Sequence, residues 1–169
     1  MKGAFLVDHM LLRLGRGLRM AGLDVENPGD EDDRGLMSRA REGGRTLITR
    51  DRELSQACAR AGQDCILIRS SRLDDQLQEM ARAGVTFQQE PARCTLCNGP
   101  LVREESLVAE ESPAMEGSSI ESPGDFEEQT KECKIAWRCL ACGQTYWQGS
   151  HWKGIAERFE RLAKDRQFR

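Results

Sequence analysis

Two sets of side chains in this sequence have the types and spacing to do chemistry. The first is a set of aspartates, Asp8, Asp33 and Asp51. Carboxylates brought to one place bind Mg²⁺ or Mn²⁺, which prefer hard oxygen ligands, and an ion so held activates water and stabilises the charge of phosphodiester cleavage. The second is a pair of Cys-x-x-Cys steps, Cys94 with Cys97 and Cys139 with Cys142. Each step puts two thiolates on one tight turn, and two such knuckles close a tetrahedral Zn²⁺ shell with no open position, so the zinc expected here is structural. The competing reading, two redox pairs, lacks the context those motifs usually have.

Something must carry the aspartates to one place, and the hydrophobic pattern supplies it. Phe5-Leu6-Val7-Asp8 and Leu47-Ile48-Thr49-Arg50-Asp51 are both short apolar runs that end on an aspartate, and Cys65-Ile66-Leu67-Ile68 is a third such run. Between them lie helical patterns: His9 to Ala21, ending at Gly22; a run through Leu36, Met37 and Ala40, ending at Gly43-Gly44; and one through Leu54, Ala57 and Cys58, ending at Gly62. A helix carrying Leu77 and Met80 follows, with Asp74 or Asp75 expected as its cap. Strands that alternate with helices over residues 3 to 87 predict βαβ units and a mainly parallel sheet. In such sheets ligands bind at the carboxyl ends of the strands, where Asp8 and Asp51 would stand. Asp51 can equally be the cap of the helix that follows it.

Of the surrounding charges, Asp30, Glu31, Asp32 and Asp33 cluster before the second helix, which favours its positive end but exceeds what capping needs. Arg13, Arg16 and Arg19 are expected on one face of the first helix, opposite Met10, Leu11, Leu14 and Leu18. That face is either solvated or, beside Asp8, in contact with phosphates. Arg50 and Arg52 flank Asp51 and are further candidates for such contacts. His9 follows Asp8 directly and is read as structural or substrate-facing rather than as a base. Cys58 and Cys65, in apolar surroundings, are expected to be small core residues.

The pattern breaks at Gln88 to Pro91, which divides the chain into an α/β domain over 1–90 and a cysteine-held ribbon over 91–152, with a basic amphipathic helix over 153–169. Net charge is −3 and the calculated pI about 5.6, so bulk charge does not announce a nucleic-acid binder. The distribution is uneven. Residues 1 to 93 hold 15 basic and 15 acidic side chains, 104 to 132 hold 10 acids against Lys131 alone, and from Cys133 onward eight Lys or Arg face three acids. The stretch 104–132 reads as an acidic loop. Cys133 lies beside the second knuckle and is expected to be free. Trp147, His151 and Trp152 stand among basic residues after the second knuckle, where they could stack bases or pin the ribbon to its neighbour. No apolar run is long enough for a signal peptide or a membrane span, so a cytoplasmic location is expected, where cysteines serve as metal ligands more often than as disulfides.

The run from Asp33 through Arg52 resembles the second half of a PIN-domain nuclease, in which an aspartate opens a helix, a strand follows and a T-x-D turn presents another aspartate. Phe5 to Asp8 is similar to that fold's first strand. The order of modules, with Cys94 to Asn98 as a C-x-x-C-N knuckle, Cys139 to Gly143 as a C-x-x-C-G knuckle and Tyr146 to Trp152 as a Y-W-x-G-S-H-W tail, resembles one subgroup, the Mut-seven C-terminal RNase domain. The resemblance implies a PIN-like three-layer domain, a zinc ribbon and a metal-dependent ribonuclease acting on RNA, single-stranded or structured. It matches Asp8, Asp33 and Asp51 to the family's acidic positions. Full-length PIN domains carry one more acidic residue on a helical insertion that this chain lacks, and Asp30 or Asp32 could substitute. Other readings of the same residues are a non-catalytic RNA- or ribosome-binding adaptor with a vestigial acidic cluster, and a protein-interaction module, with a protein partner or a second copy of the chain.

Overall fold

A computed structural model describes residues 3–88, 92–106, 134–147 and 161. Residues 3–88 build a four-stranded sheet, β1 (Ala4–Val7), β2 (Asp24–Glu26), β3 (Thr46–Thr49) and β4 (Cys65–Leu67), in the order β2-β1-β3-β4 with every pairing parallel. The helices are α1 (Leu12–Met20), preceded by a 3₁₀ turn at His9–Leu11, α2 (Asp33–Glu42), α3 (Arg52–Arg60) and α4 (Leu73–Arg82).

Both faces of the sheet are covered, which is why its strands read as unbroken apolar runs. Alternation along each strand sends Phe5, Val7 and Ile48 to one side, where they pack with Leu14 and Leu18 of α1 and Leu77 and Met80 of α4. Leu6 and Leu47 go to the other side and meet Leu36 and Ala40 of α2 and Leu54 and Cys58 of α3. The result is three layers, helices on sheet on helices. Cys58 is fully buried and Cys65 packs against the same cluster, so both are core residues.

The order of the strands also fixes where a ligand can sit. The chain passes from β1 to β2 in one direction and from β2 across to β3 in the other, so right-handed crossovers put α1 and α2 on opposite faces. The carboxyl ends of β1 and β3 therefore flank a topological switch point.

Helix ends depart from the sequence reading in detail. Asp33 is the first residue of α2, as expected, while Asp32 before it is the N-cap, accepting from the Gly35 amide at 2.9 Å. Arg72 occupies the cap position of α4; Asp74 and Asp75 fall within its first turn, where their charge favours the helix dipole. Gly22 ends α1 at φ +79°, and a Cβ there would stand 2.6 Å from the Gln88 side chain. Met10 belongs to the 3₁₀ turn rather than to α1 and is 64% exposed, off the apolar face that periodicity assigned to it.

The ribbon is a three-stranded antiparallel sheet, β5 (Leu101–Ser106), β6 (Lys134–Cys139) and β7 (Thr145–Trp147), in the order β5-β6-β7. Trp137 of β6 is buried at its centre. The acidic segment is therefore already in β5 at Glu104, and its part from 107 onward, with Cys133, His151, Trp152 and most of the expected C-terminal helix, lies outside the described residues. The ribbon docks on β2, an edge strand. Asn98, in the left-handed region at φ 64°, accepts from the Val25 amide at 3.2 Å and donates to Asp24 Oδ1 at 2.7 Å. It thereby occupies hydrogen-bonding groups that an edge strand otherwise leaves open.

Candidate active site and cysteine metal centre

Asp8 follows β1 directly and is 5% exposed. A carboxylate so placed needs donors, and it has three: Oδ1 accepts from the Met10 amide at 2.8 Å, while Oδ2 accepts from the Thr49 hydroxyl and from the Arg50 amide at 3.1 Å. The Thr49 oxygen in turn accepts from the Asp51 amide at 2.9 Å. Asp51 caps α3, its Oδ1 taking the amides of Glu53 at 2.6 Å and Leu54 at 3.2 Å. The capping reading of Asp51 thus holds, and it leaves the second carboxylate oxygen without a donor among the described residues. One fully buried threonine joins the two aspartates of adjacent strand ends.

Asp33 and Asp30 are exposed, and no hydrogen bond ties either to that pair. His9 is exposed and donates from Nε2 to the Gly29 carbonyl at 2.8 Å, holding the loop that leads to the acidic cluster against the turn after Asp8. Within that cluster Glu31 pairs with Arg39 at 2.7 Å, and Arg39 also pairs with Glu26 at 2.9 Å. Glu31 is committed to structure.

Beside Asp51 the carboxyl edge of the sheet opens into a trough. One depression of about 210 Å³ is lined by Met10, Arg50, Arg52, Leu67, Ile68 and Arg69. A second of about 340 Å³ shares Arg52, Leu67 and Arg69 and adds Ser55 and Gln56. Arg50 and Arg52 therefore meet in one place, as their positions around Asp51 suggest. Arg13 and Arg16 are exposed on α1 and do not line it. Arg69 was not legible as a site residue, although a signal exists: Thr49 and Leu67 are register partners, and Asp51 and Arg69 each lie two residues beyond them.

Arg19 departs most from the expected arginine face. It is 2% exposed and donates to the carbonyls of Val25 at 2.7 Å and Thr95 at 2.8 Å, and to the Asn27 side chain. It fastens α1 to β2 and to the first cysteine knuckle.

At that knuckle Cys94 Sγ lies 3.6 Å from Cys142 Sγ, and Cys97 Sγ lies 3.4 Å from Cys139 Sγ; all four sulfurs are within 4.8 Å of one another. Disulfide sulfurs stand about 2.05 Å apart, whereas sulfurs at the corners of a tetrahedron with Zn–S about 2.3 Å stand roughly 3.8 Å apart. The set fits zinc. Outer partners are in place as well: the Tyr146 hydroxyl is 3.1 Å from Cys94 Sγ, and the Gly99 amide donates to Cys97 Sγ at 3.4 Å. Burial alone would push the Cys94 thiol up, but the amides of Cys97 and Leu96 and the Tyr146 hydroxyl bring it down to about 6. At Cys97 the Gly99 amide acts the same way, but burial and the neighbouring sulfurs prevail and push it up to about 12. Crowded sulfurs share negative charge poorly until a dication joins them.

Among the described residues these cysteines are the one group of three or more such ligands close enough to share an ion. None of the described helices is long and apolar enough to cross a membrane. No curated protein and no solved structure gives a significant match to the chain. The model of one family, the Mut7-C RNAse domain, matches residues 3–159, which supports a nuclease-like, RNA-related function. Because that match runs through the parallel sheet and the cysteine-held ribbon alike, the chain belongs to the Mut7-C RNAse domain family.

Proposed function

We propose that this protein is a PIN-type ribonuclease that hydrolyses phosphodiester bonds of single-stranded RNA at the switch point between β1 and β3. The observation that carries the reading is the Asp8–Thr49–Asp51 bridge at the carboxyl ends of β1 and β3, with Arg50 and Arg52, the chain neighbours of Asp51, lining a depression beside it. Asp8 and Asp51, with Asp33 and Asp30 drawn in from the start of α2, would hold Mg²⁺ or Mn²⁺, and their hard oxygens suit such ions. Bound there, the ion would supply activated water and a counter-charge at the reacting phosphate. The chain's own residues do the rest. Thr49 holds the Asp8 carboxylate in position, the α3 cap orients Asp51 so that one oxygen stays open, and Arg50 and Arg52 offer donors to phosphate oxygens. The ribbon, with its zinc, buttresses β2, and the exposed Trp147 at the end of β7 offers a stacking surface for a base. The proposed setting is the cytoplasm.

A second reading has an observation of its own. Three of the four carboxylate oxygens of Asp8 and Asp51 already serve as caps and bridges, which is what a vestigial site in an RNA- or ribosome-binding adaptor would keep. Cleavage of a labelled single-stranded RNA in Mn²⁺, Mg²⁺ or EDTA, with wild type and Asp51→Asn purified in parallel, separates the two. The nuclease reading expects metal-dependent cutting that the variant loses. RNA retention without cutting by wild type would establish the adaptor instead.

A further inference from the structure

Beyond the aspartates, the described residues contain one more concentration of unused donors. Arg50, Arg52 and Arg69 all line the trough, and among the described residues none of their guanidiniums forms a close ion pair, although the charge of Arg69 acts on the Glu79 carboxylate. Arg50 Nε is buried without any hydrogen-bond partner there. A buried donor left unpaired costs free energy. The backbone at Arg69 is fixed independently of its side chain: Glu79 accepts the amides of Arg69 at 2.7 Å and Ser70 at 2.9 Å. The guanidinium is thereby presented from a pinned turn rather than from a loose loop.

The shape selects the ligand. Two adjoining depressions that share Arg52, Leu67 and Arg69 make one open trough, not an enclosed pocket for a single nucleotide. Its lining mixes apolar Leu67 and Met10 with the three arginines, Ser55 and Gln56. That mixture suits a nucleic-acid strand, with sugars and bases against the apolar side chains and phosphates against the arginines. Adjacent strands lie roughly 4.8 Å apart, so Arg69, beyond β4, stands one strand further from Asp8 than Asp51 does.

We propose that Arg69 and Arg52 form a phosphate subsite for the nucleotide neighbouring the one at Asp8 and Asp51, and that the trough over β3 and β4 is the path of a single RNA strand. The location of the reacting phosphate rests on the ribonuclease reading above; the path itself does not. Arg69 is a positioning residue, and replacing it acts on strand binding.

The test is anisotropy of a fluorescent single-stranded RNA in EDTA, over a salt series, for wild type, Arg69→Ala, Arg69→Lys, Arg52→Ala and Arg60→Ala. Arg60 is exposed at the far end of α3 and controls for loss of one positive charge. Arg69→Ala and Arg52→Ala are expected to weaken binding about three- to tenfold and to lower the salt slope by roughly 0.7 each, the share of one single-strand phosphate contact. Arg69→Lys should recover part of the loss and Arg60→Ala should match wild type. Equal binding by Arg69→Ala and Arg60→Ala, whether both normal or both weakened, overturns the subsite, as does a wild type that binds no RNA. Cleavage assayed with the same protein preparations in Mn²⁺ instead of EDTA keeps the two ideas apart. Binding lost in Arg69→Ala with no cleavage by wild type sinks the nuclease reading and leaves the path standing, whereas normal cleavage and normal binding by Arg69→Ala do the reverse.

Discussion

The guanidinium of Arg19, on α1 of the α/β domain, donates to the carbonyl oxygen of Thr95, one residue after the first knuckle cysteine, at 2.8 Å. The same group reaches Val25 and Asn27, so one buried side chain ties a helix, an edge strand and the ribbon together. Burial lowers its pKa from the ordinary arginine value, and the sulfurs of Cys94 and Cys97 oppose that shift. The sulfurs of the first knuckle thus work against the burial that makes this cation costly to hold inside.

Arg19→Met should therefore destabilise the protein by about 2–4 kcal/mol, because several carbonyls lose a charged donor at once. Arg19→Lys should recover only part of this, since an ammonium cannot reproduce the planar fork. Urea denaturation at fixed zinc measures both, and an unshifted midpoint for Arg19→Met would show that the clamp carries no stability.

Removal of zinc should be felt beyond the ribbon. The purified chain is expected to hold one zinc per molecule by elemental analysis. A chelator should lower the melting temperature of the whole chain, by the equivalent of about 3 kcal/mol where free zinc had been at a hundred times its Kd. Cys97→Ser should reproduce the effect without chelator. Melting unaffected by either treatment would mean that the two units unfold separately.

Asp51 is expected to have two separable roles. Asp51→Ala should cost about 1 kcal/mol by uncapping α3, whereas Asp51→Asn should keep the cap. Both should lower RNA cleavage on the order of a hundredfold or more, as loss of a metal-holding group does. Cleavage by Asp51→Asn at the wild-type rate would remove Asp51 from the site.

Thr49→Val keeps shape but deletes the hydroxyl between Asp8 and Asp51. Asp8 Oδ2 loses one of its two donors and the part-buried Asp51 amide loses its acceptor, at a cost of about 1–3 kcal/mol. Cleavage is expected to fall roughly ten- to a hundredfold with the fold retained, as when a group that orients a metal ligand is lost. A circular dichroism melt run beside the rate assay distinguishes this from unfolding.

The joint at Asp24 predicts acid sensitivity. Burial would raise its pKa, but hydrogen bonds from Arg45 and Asn98 outweigh burial and hold the carboxyl below its ordinary 3.8. A depressed folded-state pKa contributes stability that is present above the unfolded value and lost as pH falls through the folded one. Melting temperature should therefore drop as pH is taken from about 5 towards 3, and the drop should be shallower in Asp24→Asn. Parallel profiles for the two proteins would rule Asp24 out as a contributor.

The sequence by itself determined the elements and their class. Apolar runs ending in aspartate, glycines after each helical stretch and two Cys-x-x-Cys steps are local signals, because strand burial, helix termination and knuckle geometry depend on residues a few positions apart. It also placed Asp8 and Asp51 at strand ends. What it left open was anything set by how those elements meet. Periodicity put Arg19 on the arginine face of α1, yet docking of the ribbon on β2 surrounds that position with carbonyl acceptors and buries it. Arg69 carries no motif, and only the register of β3 with β4 brings it level with Asp51. Capping competes with metal binding for the same aspartate oxygens, and local sequence is identical in either case. Tertiary structure decided these points because a side chain's partners across a sheet or a domain joint are remote in the chain, and burial belongs to the assembled surface rather than to the residue.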